Sequence, residues 1–294
     1  MSKASNRNGA LAYRIFQYVV CILLAILSLF PFIVMIVNAT RSSAQIQAHA
    51  ISFIPSKYLM NNMHVLTTKT FHPLSGFFNS AIIAVCATLL SVYFSTLTAY
   101  AVVAYDWKVK KAFFAMIMAI MMIPATVSSI GFYQFMYKIG MTNNFAALIL
   151  PAIAAPATVF FMRQYMIPAL PMEIVQSARI DGAGEFLTFN KIVLPLCKPG
   201  MATQAIFIFV SQWNNLFIPM ILLTDKNKWT MPMMVAQLNG DMYKTEYGAV
   251  YLGLLLAVLP IFVIYFLLSK YIIAGVDLGG RRIIKKFLHI PVIW

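Results

Sequence analysis

Six runs of the chain are charge-poor and long enough to cross a bilayer: residues 15–37, 77–104, 113–137, 145–165, 201–223 and 248–270. A hydrocarbon core ~30 Å thick takes about 20 helical residues per crossing, and inside it every backbone N–H and C=O must find a partner within the protein. A membrane β-barrel would show shorter, alternating segments, whereas runs such as CILLAILSLFPFIVMIV (21–37) have no polar face at all. The pattern predicts an all-α integral membrane protein with six transmembrane helices. Composition agrees, since 61% of the 294 residues are hydrophobic and 10% charged, outside the range of soluble domains. The first run follows Lys3, Arg7 and Arg14, as a secretory signal would. Its length, and the lack of a small-x-small cleavage site before Arg41, make it a first span.

Six crossings place both termini on one side. That side holds Lys3, Arg7, Arg14, Lys108, Lys110, Lys111, Arg163, Arg179, Lys191, Lys198, Lys270, Arg281, Arg282, Lys285 and Lys286, fifteen of the 22 basic residues. Basic loops stay cytoplasmic, so the expectation is a multi-pass membrane protein with both termini in the cytosol. The net charge of +14 is then a topology signal and an attraction to membrane lipids. The basic residues are dispersed over short loops with no stacking aromatics between them, which argues against nucleic acid as a partner.

Sites for chemistry are hard to find. Cys21, Cys86 and Cys197 have no paired spacing and read as packing residues, and His49, His64, His72 and His289 form no ligand pair, so no metal and no cofactor is expected. The glycines at 275–280 lead into Arg281-Arg282 where a nucleotide loop needs lysine and a hydroxyl. Any ATP that drives the protein is hydrolysed by another subunit. The central parts of the spans carry no ionisable residue, which speaks against ion-coupled transport. They do carry uncharged polarity beside aromatics: Tyr133 and Gln134 in the third span, then Gln204, Gln212, Trp213, Asn214 and Asn215 in the fifth. Such groups hydrogen-bond hydroxyls and stack on sugar faces, or else bond helix to helix.

One stretch interrupts the oil: EIVQSARIDGAGEFLTFNKIVLPLCKPG, residues 173–200. Pro171 suits a first helical position and Glu173 complements the positive helix end. Ile174, Val175 and Ala178 recur as one apolar face until Asp181-Gly182-Ala183-Gly184 breaks the helix. A second short helix from about Glu185 to Val193 leads through Leu194-Pro195 into the fifth span. Two short helices at an angle make a cytoplasmic knob whose apolar face needs a cover, which reads as a docking element.

The order Gln176-Ser177-Ala178, three residues, Gly182, nine residues, Ile192-Val193-Leu194-Pro195 resembles the "EAA" loop of ABC importer permeases. WNNLFIPMILLTDKNKWTMPMMVAQLNG and KYIIAGVDLGG resemble the carbohydrate branch of that family, specifically its shorter six-span partner. The resemblance implies a type I ABC importer permease fold, with residues 1–14 a cytoplasmic N-terminus, 15–274 the six-span domain and 275–294 a basic tail. It implies a second homologous permease, two cytosolic ATPases that bind ATP and Mg, and an extracytoplasmic sugar-binding protein. The chain would then be a transport subunit of a bacterial or archaeal cytoplasmic (inner) membrane, not an enzyme, for an oligosaccharide or other carbohydrate, the alternative being a permease of the same fold for a non-sugar solute such as a peptide. Glu173, Gln176, Ser177, Ala178, Asp181, Gly182 and Ala183, within a coupling loop at about 166–199, would dock the ATPase. Gln237, Asn239, Gly240 and Asp241, in an external loop at about 224–246, resemble a scoop that reaches into the binding protein, although Asn239-Gly240 is also an ordinary turn signal. Two departures matter. Gln176 stands where the motif has Glu and Ser177 where it has Ala, so Glu173, one turn earlier, is the remaining source of charge. The tail RRIIKKFLHIPVIW has a basic and an apolar helical face that suit the membrane interface, ATPase packing or disorder equally.

Overall fold

The computed structural model describes residues 2–68, 72–238 and 246–288. Every regular element among them is helical, as backbone satisfaction in lipid requires. In chain order these are α1 (Ser2–Ala39), α2 (Ser43–Ala48), α3 (Leu59–Thr68), α4 (Pro73–Ala104), α5 (Lys110–Met121), α6 (Ala125–Lys138), α7 (Ala146–Ile149), α8 (Pro156–Ala169), α9 (Met172–Ile180), α10 (Glu185–Thr188), α11 (Leu194–Trp213), α12 (Phe217–Leu222), α13 (Met231–Leu238) and α14 (Tyr247–Leu288).

Five stretches are long and apolar enough to cross a membrane: Tyr13–Ala39, Pro73–Ala104, Ala146–Ala169, Glu185–Trp213 and Tyr247–Leu267. The third expected span is two helices, α5 and α6, of 12 and 14 residues. The break falls before Pro124, which lacks a backbone N–H and forces the preceding residue out of helical conformation. The fifth also stops early. It was expected to run to residue 223, but α11 ends at Trp213 and α12 begins at Phe217. Asn215 Oδ1, just before the second helix, accepts from the Ile218 backbone N–H at 3.4 Å.

The chain divides into two units. One takes residues up to Pro73 with Val235–Ala257. Its centre is a polar knot at the end of α1. Arg41, 6% exposed, donates to Asn38 Oδ1 (2.9 Å) and to the carbonyls of His49 and Gln45 (2.8 Å each). Asn62 Nδ2 donates to the carbonyls of Ala39 and Arg41 at 2.8 and 2.9 Å. These side chains tie the end of α1 to α2 and α3 through backbone carbonyls at and beside the helix ends. Gly248 of α14 fits against the knot so closely that a Cβ there would lie 2.4 Å from the Arg41 carbonyl oxygen.

The other unit takes Leu74–Met234 with the chain from Val258. Helix α4 buries Ala84, Ala87, Ser91, Ser95 and Ala99 along one side, small residues that let neighbouring helices approach. Helix α8 packs on α11 around Gly200, where an added Cβ would lie 2.7 Å from the Tyr165 ring. It also meets α5, with Phe114 stacked on Phe160 and the Arg163 guanidinium 4.3 Å from the Phe114 ring centre. A core cluster of Ala99, Tyr100, Met162, Met166, Val175, Phe189, Val193 and Cys197 joins α4, α8, α9 and α11.

A docking knob and a polar cavity as candidate functional site

The knob is built by a helix stop. Helix α9 begins after Pro171 and ends at Asp181, after which Gly182 takes φ +79°. The Gly182 N–H donates to the Arg179 carbonyl (3.1 Å) and the Ala183 N–H to the Ala178 carbonyl (2.9 Å), the paired bonds of a Schellman motif. Helix α10 then starts at Glu185 and continues through a π-helical turn, Phe189–Val193, into α11. The second short helix expected from sequence is therefore the first part of the long one, since Leu194-Pro195 does not break it.

The apolar face points the other way from that expected of a docking surface. Val175 is fully buried and Ala178 nearly so, both turned onto the chain's own core. What α9 and α10 leave outside is Glu173, Gln176, Ser177 and Asp181, with Ile174, Ile180, Phe186 and Leu187 among them. Ile180 is 86% and Phe186 73% exposed. Ala183 is half-buried and Gly182 exposed, with nothing within 4 Å of where its Cβ would be. The Ser177 hydroxyl donates to the Glu173 carbonyl at 2.9 Å, back along its own helix.

The angle between α9 and α10 is fixed by a group that motif reasoning passed over. Arg179 donates through Nε to Glu185 Oε1 at 2.7 Å and through a second nitrogen to Oε2 at 3.3 Å. Tyr105, just past α4, donates its hydroxyl to Glu185 Oε2, and Tyr100 of α4 does so at 3.2 Å. The Arg179 guanidinium lies 5.0 Å from the Tyr105 ring centre. The bond to Glu185 raises the Arg179 pKa above the usual arginine value, and burial together with the bond to Glu185 raises that of the Tyr105 phenol. One carboxylate thus ties both sides of the hinge to the end of the second span. Opposite charges six residues apart across GAG were the sequence signal for it.

The same unit holds a cavity of about 410 Å³ between α4, the α7–α8 segment and α11. Gln212 and Asn215 line it, as do Ser91, Thr158, Gln204 and Ser211, of which sequence reading had singled out only Gln204. The remaining expected path residues lie elsewhere. Trp213 is 1% exposed, stacked on Phe209 and edge-on to Phe77, each at 5.7 Å between ring centres. Asn214 is exposed at the α11 terminus. Tyr133 stacks on Tyr137 in α6 and lines a separate apolar hollow with Phe217, and Gln134 is exposed. Adjacent helical positions point about 100° apart, so a run such as QWNN cannot face one space.

Beyond α12, the expected external loop is partly helical. Asn79 holds the Asn227 and Trp229 carbonyls at 2.8 and 2.9 Å, and the Met231 N–H donates to Ser80 Oγ at 2.8 Å. Helix α13 buries Met231, Met233 and Met234. Gln237 is exposed on its last turn, whereas Asn239, Gly240 and Asp241 lie outside the described residues, as do the side chains of the tail from Arg281.

Residues 91–277 match the family described as binding-protein-dependent transport system inner membrane component. The chain is 34% identical over 261 residues to the arabinooligosaccharides transport system permease protein AraQ of Halalkalibacterium halodurans, covering 88% of this chain and 93% of that one. It is 31% identical to the lactose transport system permease protein LacG of Rhizobium radiobacter, over 89% and 94% of the two chains. A crystal structure of a bacterial ABC transporter involved in the import of the acidic polysaccharide alginate superposes with a TM-score of 0.76 at 21% identity, covering 92% of this chain and 99% of that one. A multi-pass helical chain of this fold, matched over most of its length, belongs to the family of binding-protein-dependent ABC transport permeases and is a transport component, not an enzyme.

Proposed function

We propose that this chain is one of two permease subunits of an ATP-driven importer that takes a carbohydrate from an extracytoplasmic binding protein. The observation that carries the reading is the similarity, over nearly whole chains, to permeases named for arabinooligosaccharides and lactose. The cavity lined by amides and hydroxyls supports it, because those groups exchange hydrogen bonds with sugar hydroxyls. Two cytosolic ATPases bind ATP and Mg, one of them gripping the exposed face of α9 and α10 around Glu173, Gln176, Ser177, Asp181 and Gly182. Closure of the ATPase pair moves the knob, and the spans rock between facing outward and inward. Both termini are cytoplasmic, and the segment around Gln237 to Asp241 contacts the binding protein. No covalent chemistry is assigned to this subunit.

The test is uptake by the reconstituted complex of this chain, its partner permease, the ATPases and the binding protein. ATP-dependent accumulation of a saccharide is expected. Accumulation of a peptide and no saccharide would refute the reading. Impermeant labelling of cysteines placed at Lys110 and Lys57 checks sidedness, with the first protected in intact cells and the second labelled.

A further inference from the structure

Building on that reading, we infer that the cavity passes only uncharged saccharides and that the Ser91 hydroxyl is one of the groups that bonds them. Six polar side chains line it, Ser91, Thr158, Gln204, Ser211, Gln212 and Asn215, and none of the described lining residues is Asp, Glu, Lys, Arg or His. A carboxylate or phosphate drawn into such a space loses its hydration and meets no counter-charge from this subunit, which is a large penalty inside a membrane protein. A polyhydroxyl ring exchanges water for amide and hydroxyl partners at little net cost. Relatives that match this chain include one named for sn-glycerol-3-phosphate as well as those named for neutral sugars, so the family alone does not decide the charge of the cargo.

Ser91 is the independent observation. It is 1% exposed, lines the cavity, and its Oγ has no hydrogen-bond partner among the described residues. Helical hydroxyls usually return to the carbonyl one turn back, and Thr96 and Thr98 of the same helix do so, to Val92 and Phe94 at 2.6 and 2.8 Å; the buried hydroxyls of Thr88 and Ser91 are both unpaired, and of the two only Ser91 lines the cavity. A buried hydroxyl held without a partner beside a polar cavity is a donor reserved for what enters it. The signature of that role separates it from a structural one. Removing an unpaired hydroxyl does not weaken the fold, whereas removing a ligand contact slows transport.

The test uses the complete reconstituted importer with excess binding protein and a panel of solutes. Arabinotriose, lactose, diacetylchitobiose and maltose are the neutral members, sn-glycerol 3-phosphate and alginate oligomers the anionic ones, and a tripeptide completes the set. Uptake is expected from the neutral saccharides alone. In Ser91→Ala the uptake rate is expected to fall about five-fold, as loss of one neutral hydrogen bond allows, with the thermal midpoint of the complex unchanged or raised. Uptake of an anionic solute overturns the inference and leaves the carbohydrate reading standing, while tripeptide uptake overturns both. An undiminished rate in Ser91→Ala, or a reduced rate accompanied by a lowered midpoint, removes Ser91 from the site.

Discussion

Gly182 gives the sharpest test of how the knob is held. It sits at φ +79° as the residue after the α9 cap, and a Cβ there would meet nothing within 4 Å of this chain. The cost of a side chain is therefore conformational and not steric: about 1–2 kcal/mol for an ordinary L-residue in the left-handed region, and less for asparagine. Gly184, two residues on, is an internal control. It too has open space, but at φ −64° and ψ 152° it adopts a backbone any residue accepts. Gly184→Ala is expected to change stability by less than about 1 kcal/mol, since alanine narrows the unfolded ensemble but is a poorer N-cap for α10 than glycine. The expected order of stability is wild type with Gly184→Ala close to it, then Gly182→Asn, Gly182→Ala and Gly182→Val, the last being worst because a β-branched residue is most strained at positive φ. Each 1 kcal/mol lowers the thermal midpoint by roughly 2–4 °C for a chain of this size. The assay is the midpoint of each purified complex, together with the ATPase retained and transport. Gly182→Val is expected to lose transport with the two permeases still assembled, while Gln176→Ala, which removes at most a neutral hydrogen bond of about 1 kcal/mol, retains it. Equal losses from Gly182→Asn and Gly182→Ala, with Gly184→Ala also impaired, would refute the conformational argument and point to crowding by the docked ATPase.

Three further outcomes follow from close contacts. Glu185→Gln removes the charge that joins Arg179, Tyr100 and Tyr105; the exposed ion pair contributes about 1 kcal/mol or less to stability, so the expected effect is a lower ratio of solute transported to ATP hydrolysed, with the midpoint shifted little. Gly200→Ala drives a Cβ to within 2.7 Å of the Tyr165 ring and should destabilise the complex by about 1–3 kcal/mol, with Tyr165→Leu restoring part of the loss in the double variant. Gly248→Ala should be worse, because its Cβ would lie 2.4 Å from the Arg41 carbonyl oxygen and 2.5 Å from Asn62 Nδ2, groups already fixed by hydrogen bonds; the yield of folded protein in detergent measures it.

Sequence showed most where the period of the physics is short. Apolar length located five of the six expected spans, and Gly182 marked the helix stop, because bilayer thickness and positive φ act on local residues. It showed less where two distant segments share one atom. Arg41 reads in sequence as one more external basic residue, yet its guanidinium closes the ends of two helices. Ser91 reads as an ordinary small residue among others in α4, and only the packing shows that its hydroxyl is unpaired. Trp213 and Asn214 were grouped with Gln212 and Asn215 by adjacency, but the helix distributes them to core, surface and cavity. The apolar face of α9 was legible as a face; which way it turned was not, since α4, α8 and α11 compete with any partner to cover it.

Knob and cavity are two ends of one element. Helical backbone runs without a break from Glu185 to Trp213, 29 residues, or about 43 Å at 1.5 Å per residue. Near one end Phe189, Val193 and Cys197 sit in the core that also holds Val175 of α9. Toward the other, Gln204, Ser211 and Gln212 line the cavity. On the proposed reading, a tilt imposed on the knob would be carried along this rod to the polar groups that line the cavity. The π-helical turn and the missing N–H groups of Pro195 and Pro199 are the places where the rod can bend. Gly200, just past them, lies so close to Tyr165 of α8 that a Cβ there would be 2.7 Å from its ring. That position should therefore matter more for coupling than its distance from either end would suggest: of the substitutions that spare both knob and cavity, Gly200→Ala is the one expected to let ATP hydrolysis proceed while transport falls.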